Sequence, residues 1–146
     1  MIAYTPEDLI TGLESLLGEI WKNVVIYGDV YPEPERNKDR NQPYAVILAQ
    51  NGTYGMGGAS CGVFIALAVK GGAANDMSAR DCVRWLRDRI QELCLSLYRD
   101  CTFHGTIPSG ISWNIPESAS RPVWEASISI TFELPSAAHD NKGFLV

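Results

Sequence analysis

The stretch from Ile111 to Leu134 constrains this chain more than any other. Trp124, Ala126, Ile128, Ile130, Phe132 and Leu134 fall at every second position, and Glu125, Ser127, Ser129, Thr131 and Glu133 fill the gaps. A period of two puts one side of a strand on a core and leaves the other wet, as in an antiparallel sheet. Upstream, Ile111, Trp113 and Ile115 alternate with Ser112 and Asn114, and a Pro- and Ser-rich segment joins the two runs. The pair reads as a hairpin. It carries no catalytic group, so the best-specified part of the chain is architectural.

The rest of the chain supplies what such a hairpin must pack against. Thr5-Pro6-Glu7-Asp8 is a helix start, with Thr as cap, Pro at the first helical position and acids at the positive dipole end. Leu9, Ile10, Leu13, Leu16, Leu17, Ile20 and Trp21 continue at helical spacing, which predicts a helix to about Trp21. Val24 to Tyr27 reads as a strand continued by Val30 and Tyr31, with a break at Gly28-Asp29. Residues 32–43 have no hydrophobic side chain except their prolines and are expected to be a solvated loop.

Tyr44 to Gln50 predicts a short strand, Asn51 to Gly58 a flexible glycine-rich connection, and Ser60 to Lys70 a long strand. The last has apolar Cys61, Val63, Ile65, Leu67 and Val69 on one side and Gly62, Phe64, Ala66 and Ala68 on the other. Apolarity on both sides predicts a central strand with its small face under something close-packed. A second helix follows, capped by Asp76 or Ser78, with Val83, Leu86, Ile90, Leu93, Cys94 and Leu97 as its stripe and an end near Tyr98. Its outer side is basic, with Arg80, Arg84, Arg87 and Arg89 interspersed with Asp81 and Asp88.

The expected fold is therefore a two-layer α+β domain of order α-β-β-β-α-β-β, with both helices on one face of a mostly antiparallel sheet. It occupies residues 1–134 as a single domain, and 135–146 are expected to be a flexible tail. Hydrophobic residues at 46% and charged residues at 20% fit a globular domain and exclude a wholly disordered chain. A net charge of -5 argues against nucleic-acid binding by bulk electrostatics. No run approaches the roughly 20 apolar residues of a membrane span, and no secretory signal opens the sequence.

Candidate chemistry is sparse. The glycines of 52–58 lack the Gly-Lys-Ser/Thr and the following helix of a phosphate loop; Tyr54 and Met56 among them read as contact residues. Cys61, Cys82, Cys94 and Cys101 lie too far apart for a CxxC spacing and read as free thiols in a reducing cytoplasm. Cys101 and His104 form a conceivable nucleophile pair, although such partners usually meet through the fold. His139 lies in the tail, and two histidines do not make a usual His-rich metal site. No catalytic residue, cofactor or metal is expected. Trp113 and Trp124 are too large to bury easily, so one of them is expected at an interface.

The layout resembles the tail-completion or tail-terminator proteins of long-tailed bacteriophages and prophages. The likeness rests on three features. They are the opening helix with Tyr27-Gly28-Asp29-Val30-Tyr31-Pro32 and the loop into Pro43-Tyr44-Ala45-Val46-Ile47-Leu48; the pair Ser60–Lys70 and Ser78–Tyr98; and Arg121 to Phe132. The resemblance implies a structural virion protein, assembled in the host cytoplasm, that caps the tail tube and presents a face to the head connector. It implies a homo-oligomeric ring, often six-membered, with DNA passing the lumen unbound, and partners in the tail-tube and connector proteins. The residues assigned to subunit or partner contacts are Arg36, Lys38 and Arg40 in the first loop, Tyr54 and Met56 in the second, Arg80, Arg84 and Arg87 on the helix, and Trp113 and Trp124 on the hairpin. The alternatives are a head-tail connector (neck) protein, and a small-ligand-binding or enzymatic domain using Cys101 and His104.

Overall fold

A computed structural model describes residues 2–3, 5–29, 42–56, 58–71, 77–99, 103–116 and 123–135. Arg36, Lys38, Arg40, Cys101, His139 and all of the expected tail except Pro135 lie outside the described residues. The order is α1 (Pro6–Ile20), β1 (Val25–Gly28), β2 (Tyr44–Gly55), β3 (Gly58–Lys70), α2 (Ala79–Tyr98), β4 (Ile107–Asn114) and β5 (Val123–Leu134). This is the expected α+β order.

Both helices start on the residues that chemistry favours. The Thr5 side chain accepts from the Asp8 backbone N–H at 3.2 Å, and Pro6 opens the first turn, where its missing N–H costs nothing. Of the two candidate caps of α2, Ser78 serves. Its hydroxyl accepts from the Asp81 N–H at 3.1 Å, and the Asp81 carboxylate accepts from the Ser78 N–H at 3.2 Å. The stripe of α2 differs from expectation by one residue at its start: Cys82 is fully buried, whereas Val83 and Cys94 are only half-buried.

The five strands form one sheet in the order β1-β2-β3-β5-β4. β3 is central, as its two apolar sides predict. β2–β3, β3–β5 and β5–β4 are antiparallel, and β1 joins β2 in parallel. Ala45, Ile47, Cys61, Val63, Ile65, Leu67, Val69 and the even residues Ala126 to Leu134 of β5 meet Leu9, Leu13, Leu17, Leu86, Leu93 and Leu97 in one core. Each such leucine contributes about 2 kcal/mol when fully removed from water. On the opposite face, Ala66 and Ala68 are also buried. Val46, which pairs with Ala66, is buried on this face as well, while Tyr44, Glu125 and Ser127 beside them are half-buried.

The structure corrects the reading of residues 51–58. The described residues of this stretch are not a flexible connection: β2 runs on to Gly55, and Gly52, Thr53 and Tyr54 pair with Cys61, Ser60 and Ala59 of β3. A Cβ at Gly52 would lie 2.5 Å from the Ser60 carbonyl oxygen, so this glycine serves the close approach of two strands. Gly58, at φ +142°, takes the turn conformation that side chains disfavour. A register shift between Ala49 and Asn51 interrupts the pairing of β2 with β3, which then resumes to Gly55.

Candidate interaction surface

His104 is built into the fold. It stands at φ 50° in the tight turn before β4, its backbone carbonyl accepts from the Ala3 N–H at 2.8 Å, and its ring meets Phe103 edge-on with centroids 4.4 Å apart. A Cβ on Gly12 would come 2.8 Å from His104 Cδ2, so the imidazole lies directly on α1. Cys101, its proposed partner in nucleophilic chemistry, lies outside the described residues. Burial pushes the thiols of Cys61, Cys82 and Cys94 above their ordinary pKa, the opposite of what a reactive thiolate needs. No cluster of three or more potential metal ligands occurs among the described residues.

The surface residues gather in three places. The first is the end of the β2–β3 hairpin, where Tyr54 is 77% exposed and Met56 fully so. The Thr53 and Ser60 hydroxyls hydrogen-bond at 2.8 Å across the pair and hold its two strands in register. An open cleft of about 560 Å³ lies between this hairpin and the end of β5, lined by Tyr54, Ser60, Ile107 and Glu133 among others. Tyr54 and Met56 are thus both exposed at the end of this hairpin.

The second place is the outer side of α2. Arg80, Arg84 and Arg87, spaced at i, i+4 and i+7, are all exposed and line one shallow groove with Ala79 and Val83. None makes an ion pair among the described residues. Arg89 departs from the expected basic stripe. Its guanidinium donates to Glu92 at 3.0 and 2.6 Å and lies 5.2 Å above the Trp85 ring, on the side of α2 that faces α1.

The third is β4, an edge of the sheet. Trp113 is 51% exposed there, whereas Trp124, on the inner strand β5, is half-buried and packs against the core. The structure therefore separates the two tryptophans and leaves Trp113 available for contact. Four exposed apolar residues among the described ones escaped the sequence reading: Ile2, Leu95, Tyr98 and Ile107. Leu95 had a signal, since it lies off the apolar stripe of α2 and no burial could claim it.

No helix among the described residues is long and apolar enough to cross a membrane. In comparison with known proteins, no family model and no curated protein sequence matches this chain.

Proposed function

We propose that this chain is a virion assembly protein of a long-tailed phage or prophage, a tail terminator that caps the tail tube and joins it to the head connector. The observation that carries this reading is the β2–β3 hairpin. It projects Tyr54 and Met56 into solvent from a strand pair held by twelve and thirteen residues of β structure. A strand-pair end that carries a large exposed aromatic and a flexible thioether suits a binding contact with another protein, because such groups supply contact area at low ordering cost. The three exposed arginines of α2 and Trp113 on the sheet edge extend the same logic to the sides of the molecule. In this reading the subunits form a ring whose lumen lets DNA pass, and the acidic chain does not grip it.

Light scattering of the purified chain, followed by negative-stain imaging with tail tubes of its own phage or prophage, tests the proposal. Rings seated on tube ends support it. Tubes that elongate without limit and carry no added density in its presence overturn it. Density seated instead on the portal vertex of heads selects the neck-protein reading.

A further inference from the structure

The two sides of the sheet carry opposite charge and unlike edges. On the β1–β2 side, α1 presents exposed Glu7 and Glu14, two turns apart on one face, and Glu14 lies against Gly28 of β1. On the β4 side, α2 presents Arg80, Arg84 and Arg87, because Trp85, Arg89 and Glu92 occupy its α1-facing side. Among the described residues, each outer strand of the sheet keeps a stretch without charge or proline. β1, the outer strand on the α1 side, has neither from Val25 to Gly28. Residues 111–114 of β4 are likewise uncharged and hold exposed Trp113. Edges of this kind pair with further strands unless charge, proline or cover prevents it.

We propose that a second copy of this chain docks side by side, with β4 and the arginine face of one copy against the β1 edge and the Glu7–Glu14 face of the next. Two arguments select this partner. A symmetric contact through either side alone would set arginine on arginine or glutamate on glutamate, whereas unlike sides attract. Strand direction also fits. Through β3 and β5, β4 runs antiparallel to β2 and to its parallel partner β1, so a neighbour related by rotation about an axis along the strands meets β1 in the stronger antiparallel pairing. Contacts between unlike sides close into rings when the rotation allows. The inference rests on the closed oligomer of the proposed function and names the surface that builds it.

Two variants test it, Arg84→Glu with Arg87→Glu, and Glu7→Lys with Glu14→Lys. Each alone weakens self-association by roughly tenfold or more in light scattering, because like charges then face each other, while circular dichroism stays that of the folded chain. An equimolar mixture reassembles, since each reversed side then finds a complementary one on the other variant. Assemblies that persist in both single variants, or folded variants whose mixture stays dissociated, overturn this contact and leave the ring standing. A parent chain that stays monomeric at high concentration and on tail tubes overturns the ring and this contact together.

Discussion

The indole Nε1–H of Trp21 donates to the backbone carbonyl of Arg89 at 3.0 Å, tying the end of α1 to the middle of α2. Trp21 is almost fully buried, and its indole N–H finds this partner at the partly buried junction of the two helices. Trp21→Phe keeps most of the packing and loses the bond, and is expected to cost about 1 kcal/mol in urea unfolding. Trp21→Ala also opens a cavity and should cost about 3–5 kcal/mol. Equal losses in the two variants would show that the bond, and not the ring volume, couples the helices.

Two glycines of α1 should answer oppositely to the same change. Gly18 is exposed, and a methyl added there would meet nothing within 4 Å, so Gly18→Ala gains helix propensity and stabilises by about 0.5–1 kcal/mol. Gly12 lies under the His104 ring, and its added Cβ would stand 2.8 Å from His104 Cδ2, so a methyl there displaces the imidazole. Gly12→Ala is expected to lower the thermal midpoint and Gly18→Ala to raise it.

The capping box of α2 predicts an acid-side effect. The Asp81 carboxyl is held below its ordinary pKa, first by the Ser78 side chain and Ser78 backbone hydrogen bonds, and then by the charges of Arg84 and Arg80. A depressed folded value means that its stabilisation is present above the ordinary carboxylate range and is lost as pH falls through the lowered value. Asp81→Asn should flatten this part of the stability–pH curve while leaving the neutral-to-alkaline part nearly unchanged. Ser78→Ala removes the cap itself and should cost about 1 kcal/mol at neutral pH.

The buried thiols predict slow chemistry. Cys61 and Cys82 are fully buried and their pKa values are raised by loss of solvent, with the Asp81 charge adding to the effect at Cys82. Their contribution to stability is therefore complete below the ordinary thiol range and declines as pH rises beyond it. Alkylation followed by mass spectrometry should find both at least roughly tenfold slower in the folded chain than in urea. Rapid native labelling of Cys61 would mean that β3 is not the centre of the sheet.

What could be read in the sequence was whatever a one-sided environment writes as a pattern. β5 meets a core on one face and water on the other, so its alternation was plain, and the two helix starts followed from their caps. The distal half of β2 escaped because residues 50–55 are exposed on both faces, which leaves no alternation for burial to impress. The start of β4 was hidden by Pro108, which an edge strand with a register shift at Pro108/Gly110 tolerates. Among site residues, Arg80, Arg84 and Arg87 were legible from helical spacing. The different fates of Trp113 and Trp124 were not, because they depend on strand order: Trp113 lies on an edge strand, whereas Trp124 is paired with Val69 of central β3 and packs against the core.

The central place of β3 has a consequence for how the chain is made. Its partner β5 follows it by more than fifty residues, with α2 and β4 between them, so the largest strand pairing closes a long loop. During synthesis α1, β2 and β3 emerge first, and β3 keeps one bare edge until Val123 to Leu134 leave the ribosome. Sheets completed across such distances fold slowly, and the waiting edge is where premature association would begin. The nascent chain thus has most need of chaperone shelter in the interval between the emergence of β3 and that of β5.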